Sequence, residues 1–189
     1  QMPTPLFNAE DHTYRTPDGA RLTSVTQALV QAGIIDTTWY SEAAAWRGSV
    51  VHRCCELWDK GKLVESSVDP EALGYLDAWR EASYALGIQP IAVEVPSFHP
   101  QFGYAGTPDV VTSDGVFDRK TGALAPWHGL QLAAYAHLGD NPKAKRRVAV
   151  QLKPNGRYSV KMFKPQDMPT DWAVFQSALN VAKWKLPHG

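Results

Sequence analysis

The chain has 189 residues, 44% of them hydrophobic and 20% charged, with 19 basic and 19 acidic side chains and a formal net charge of zero. That length suits one domain with a real hydrophobic core, and no apolar run approaches the roughly 18 residues that span a bilayer, which argues against a membrane protein. The neutral total conceals an asymmetry: residues 1–100 carry 7 basic and 13 acidic side chains, residues 101–189 carry 12 and 6, so the halves stand at −6 and +6.

The opening Q-M-P-T-P-L-F lacks the basic and apolar regions of a secretory leader. H-T-Y-R-T-P-D-G-A-R-L-T reads as a β-hairpin turning at Pro17-Asp18-Gly19. Ser24 caps a short helix ending near Gly33. A longer helical pattern runs from Thr37 to Lys60 and contains Cys54 and Cys55. Sequence neighbours rarely form a disulfide, so both read as reduced thiols in a cytoplasmic protein. They also cannot supply a four-cysteine zinc or iron–sulfur site. Pro70 opens a third helix that stops near Gly87.

The pattern changes at Pro90. I-A-V-E-V alternates as a strand. G-T-P-D-V-V-T-S and D-G-V-F-D-R-K-T follow, joined by a tight turn at Ser113-Asp114-Gly115. A helix is expected from about Pro126 to Leu138, a second hairpin around Pro154-Asn155-Gly156, and a closing helix from Asp167 to Lys185. The order predicts an α/β (α+β) fold, a central mixed β-sheet flanked by helices. We divide the single domain into an N-terminal hairpin and helix (1–36), a helical region (37–89), and a sheet with its flanking helices (90–189). The seven tryptophans, Trp39, Trp46, Trp58, Trp79, Trp127, Trp172 and Trp184, are expected mostly in the core.

The segment from Tyr104 to Tyr135 carries the chemistry. In V-F-D-R-K, Asp118 and Lys120 are two residues apart and share a strand face. Asp109 lies on the preceding strand. Two carboxylates and a lysine can hold a hard divalent cation and a water, the minimum for metal-assisted phosphodiester hydrolysis. Pro108 removes a ladder donor, so the strand is expected to be disturbed or at an edge there. Glu94, on the strand before, either joins this site or faces solvent. Gly48, in mid-helix four residues before His52, costs up to about 1 kcal/mol relative to alanine, which a close backbone approach would explain. Gln131 and Tyr135, four apart, share a helix face. No G-x-x-x-x-G-K-[ST] loop is present, so no helicase motor is expected.

Four motifs in order, G-S-V-V-H (Gly48–His52), G-T-P-D (to Asp109), D-R-K (Asp118–Lys120) and Q-L-A-A-Y (Gln131–Tyr135), resemble the PD-(D/E)XK nuclease superfamily, specifically its RecB-type branch. That branch includes phage exonucleases and the mitochondrial genome maintenance exonuclease. The resemblance covers about Gly48 to Tyr135 and implies a restriction-endonuclease-like core. It implies one or two Mg²⁺ or Mn²⁺ ions held by His52, Asp109, Asp118 and the backbone carbonyl of Arg119, with Glu94 as a further candidate. Lys120 is implied beside the attacking water, and Gln131 and Tyr135 against the nucleic-acid strand. Trp127, at the start of that helix, is the best candidate to stack on an unpaired base. The iron–sulfur cluster of some relatives is not expected. The function implied is a metal-dependent DNA exonuclease of phage or bacterial recombination or repair, acting on DNA with a free end beside a recombinase or single-strand-binding partner. An endonuclease on the same fold and a non-catalytic binding or assembly module are the alternatives.

Overall fold

A computed structural model describes residues 4–8, 10–38, 40–138 and 146–186. The N-terminal hairpin is built from β1 (Leu6–Asn8), β2 (Thr13–Arg15) and β3 (Arg21–Ser24). Its turn closes with Gly19 at φ 93°, a conformation glycine adopts without a side-chain penalty. Ser24 caps α1 (Val25–Gln31) by accepting from the Gln27 amide at 3.0 Å. The second helix, α2 (Glu42–Asp59), starts five residues later than the pattern from Thr37 suggested. Ser41 is its cap, accepting from the Ala44 amide at 3.1 Å. The next helix, α3 (Pro70–Ala85), begins with Asp69 as cap and ends before Gly87 at φ 60°.

The later strands fall into two sheets rather than one. Strands β4 (Ala92–Val93), β7 (Val110–Val111), β8 (Gly115–Lys120), β9 (Arg146–Leu152) and β10 (Tyr158–Phe163) form the central sheet, in the order β10-β9-β8-β7-β4. The pairs are antiparallel except β8 with β9, which are parallel and connected through α4 (His128–Leu138). Strands β5 (Ser97–His99) and β6 (Tyr104–Gly106) join the N-terminal hairpin in the second sheet, ordered β1-β2-β3-β6-β5, with β3 and β6 parallel. After β4 the chain therefore crosses between the sheets twice more. One crossing begins at Glu94, whose φ of 50° ends β4. The other is Thr107-Pro108-Asp109, where proline offers no ladder donor. Both crossings leave a carboxylate where regular pairing stops.

Alternation along the strands sets the layers. Phe117, Val148, Val150 and Leu152 face α2 and α3, meeting Val51, Cys55, Leu76 and Trp79. Val116 and Ala149 face the other way, onto Leu132 and Ala136 of α4. The closing helix, α5 (Met168–Lys185), packs with α1 and α4 around Tyr104 and Phe175. Among the described tryptophans only Trp79 is fully buried, while Trp46 and Trp184 are more than half exposed. Trp58, Trp127 and Trp172 pack half-buried against the core, so four of the six described tryptophans belong to it or line it, as expected; Trp39 lies outside the described residues. Cys54 and Cys55 are free thiols. No described helix is long and apolar enough to cross a membrane.

Candidate metal centre

Helix α2 presents one stripe to the central sheet. Gly48, His52, Cys55 and Asp59 recur at spacings of four, three and four, the periodicity of a single helical face. Gly48 needs no close approach for this: a Cβ there would meet only Thr121 Oγ1, at an ordinary 3.7 Å. Gly48 lines a cavity of about 530 Å³ together with His52, Lys120 and Trp127.

His52 reaches the two crossing points. Its Nδ1 lies 3.5 Å from Asp109 Oδ1 and 3.8 Å from Glu94 Oε1. One ligand atom from each of His52, Glu94 and Asp109 falls within 4.8 Å of the others, so the three can hold a metal ion. Glu94 therefore faces the site. Asp118 is not in that group. Its Oδ2 is drawn to Lys120 Nζ at 2.7 Å, on the α4 side of β8. Residues 118 and 120 share that face, and Arg119 takes the opposite one.

Arg119 does more than its backbone carbonyl was expected to do. Its amide donates to Asp109 Oδ2 at 2.6 Å. Its fully buried guanidinium donates from Nη1 to Asp59 Oδ2 at 2.5 Å and from Nη2 to Glu94 Oε1 at 2.8 Å. Asp59 in turn accepts from the Trp79 indole at 2.9 Å, and the Trp79 ring lies under the guanidinium carbon at 5.0 Å. Neither Asp59 nor Trp79 stood out in the sequence. The available signal was the α2 stripe, since Asp59 lies seven residues after His52 on the same face.

Charge and burial set the protonation states. Burial works against the His52 cation, but Asp109 and Glu94 outweigh it and carry its pKa up to about 10. Burial also penalises the Asp109 carboxylate, yet His52, Arg119 and Lys120 hold it well below the usual range. Asp118 and Glu94 move upward, chiefly through burial, with the Asp109 charge adding to the shift of each.

Lys120 is fixed on three sides. Besides Asp118, its Nζ donates to Gln131 Oε1 at 3.0 Å and lies 5.5 Å from the Trp127 ring centre. Gln131 Nε2 continues to the Tyr135 hydroxyl at 3.2 Å. Gln131 and Tyr135 are both buried. Their hydrogen bonds thus run to the lysine and to each other, while Tyr135 also lines a second cavity of about 750 Å³ shared with Glu94.

Asp118 Oδ2 meets Lys120 Nζ at 2.7 Å, a charge-assisted contact, and Arg119 Nε lies 3.7 Å from Asp109 Oδ2, so the buried charges around the site are paired. With one imidazole and two carboxylates, the donor set fits a divalent ion such as Mn²⁺, and Mg²⁺ less ideally because it favours six oxygens. Compared with models of known protein families and with curated protein sequences, the chain matches none.

Proposed function

We propose that this protein is a divalent-metal-dependent deoxyribonuclease of the RecB-type PD-(D/E)XK kind, hydrolysing DNA phosphodiesters from a free end in the cytoplasm. The observation that carries the reading is the convergence of His52, Glu94 and Asp109 from α2 and the two sheet crossings, with the Lys120 ammonium held on the neighbouring strand.

His52, Glu94 and Asp109 would hold one or two Mg²⁺ or Mn²⁺ ions, with Asp118 and the Arg119 carbonyl as further donors. A bound ion supplies Lewis acidity and neutralises charge at the scissile phosphate. Lys120, oriented by Asp118 and Gln131, presents its ammonium to the attacking water and to charge developing on the phosphate oxygens. Buried Gln131 and Tyr135 serve this step by holding the lysine. Trp127, in the wall of the 530 Å³ cavity beside Lys120, offers a ring face to an unpaired base. Basic residues of the C-terminal half supply backbone contacts.

The test is a nuclease assay on end-labelled single- and double-stranded DNA and on closed circles, in Mg²⁺, Mn²⁺ and EDTA. Metal-dependent loss of linear DNA with circles spared is the expected result, and label release gives the polarity. Cleavage of circles would replace the exonuclease reading with an endonuclease. Absence of cleavage in every metal, with Lys120→Ala indistinguishable from wild type, would leave a binding or assembly module.

A further inference from the structure

Glu94 sits in a costly backbone conformation. Its φ of 50° places a non-glycine residue in the left-handed region, a conformation that persists only where surrounding contacts over-determine it. Two contacts do so. Its amide donates to the Asp109 carbonyl at 3.0 Å, and its carboxylate accepts from Arg119 Nη2 at 2.8 Å. The same arginine fixes Asp109 through its own amide, leaving Asp109 Oδ1 to face His52. One residue thus aims both carboxylates of the candidate metal group.

The guanidinium is itself held from behind. Asp59 closes α2 with a side chain only 2% exposed, and it ties Nη1 to the indole of fully buried Trp79. A cation so near a metal site ought to repel the metal. Asp59 supplies the compensating charge, so that Glu94 and Asp109 remain in excess over Arg119. Lysine could not do this work: it lacks the planar fork that bonds two carboxylates in fixed directions.

We propose that Arg119 is the positioning residue of the metal centre, locked by Asp59 and Trp79 so that Glu94 and Asp109 converge on one ion. This inference rests on the metal-site reading above. It makes Asp59 a determinant of metal affinity although its side chain bonds Arg119 and Trp79 rather than the metal group.

The experiment titrates Mn²⁺ into the full chain without DNA, by calorimetry, for wild type, Arg119→Lys and Asp59→Asn, and checks each fold by circular dichroism. Asp59→Asn keeps an acceptor for Trp79 and the side-chain volume, so it tests the charge if Arg119→Lys misfolds. Both variants are expected to bind Mn²⁺ about tenfold or more weakly than wild type. In the nuclease assay they should need correspondingly more Mn²⁺ for half-maximal rate, and excess Mn²⁺ should restore kcat. Lys120→Ala should stay inactive at any Mn²⁺ concentration. Wild-type or tighter Mn²⁺ affinity in folded Asp59→Asn and Arg119→Lys overturns the positioning role while leaving the metal centre standing. No Mn²⁺ binding by wild type at millimolar concentration overturns the metal centre, and the positioning role with it.

Discussion

At the scale of single residues, the site divides between two faces of β8. Asp118 and Lys120 turn toward α4, and Arg119 turns toward α2 and α3. This separates two kinds of mutational outcome. Lys120→Ala removes the ammonium but strands no charge, because burial already moves the Asp118 pKa upward and its carboxyl can take up a proton. We expect that variant to fold, to bind Mn²⁺, and to lose cleavage by about a hundredfold or more. Wild-type cleavage by folded Lys120→Ala would remove the lysine from the mechanism. Asp109→Asn should abolish both Mn²⁺ binding and cleavage, since it removes one of the two carboxylates of the three-residue metal group; calorimetry reads the first and the labelled substrate the second. Gln131→Ala should keep Mn²⁺ affinity and lower kcat, because its side chain touches Lys120 and Tyr135. Unchanged kinetics would count against its role in orienting the lysine.

At the scale of elements, helix ends and close approaches carry the stability. His128 opens α4, with its Nδ1 accepting from the Ala125 amide at 3.1 Å. Burial, together with Lys120 and Lys161, lowers its pKa to about 3. The unfolded chain therefore binds a proton here from about pH 6.5 downward while the folded chain does not. Stability from this group is lost as pH falls from about 6.5 toward 3, with no further loss below. Urea midpoints across that range should fall more steeply for wild type than for His128→Asn; parallel curves would contradict the assignment. Helix α3 has a different constraint. A Cβ on Gly74 would lie 1.8 Å from the Pro154 carbonyl oxygen, in the turn between β9 and β10. Since the obstacle is backbone, Gly74→Ala should destabilise by about 3 kcal/mol or more, read as a lowered urea midpoint.

At the scale of the whole molecule, the division of charge bears on DNA binding. The basic excess of residues 101–189 predicts that affinity for single-stranded DNA falls with added salt. Three phosphate contacts would give a log–log slope of about −2. Fluorescence anisotropy across a series of NaCl concentrations reads this slope, and a flat response would remove the basic half from the interface.

Much of this organisation was written locally. Turn chemistry at Asp18-Gly19, Asp114-Gly115 and Asn155-Gly156, the caps Ser24 and Asp69, and the alternation in β8 and β9 follow from short-range sterics and hydrogen bonding. So does the shared face of Asp118 and Lys120, because strand geometry repeats every two residues. Asp118 and Lys120 were legible as a pair for that reason, while His52, Gln131 and Tyr135 were picked out by the order of the four motifs they belong to. The separation into two sheets was not, since Ser97–His99 and Tyr104–Gly106 choose partners distant in sequence. Nor was the Asp59–Arg119–Glu94 chain, which spans 60 positions and closes only when α2 packs on β8. Local periodicity determines which face of each element carries a charge. Which charges then meet is decided by tertiary packing, because burial turns an ordinary arginine into the common partner of three carboxylates.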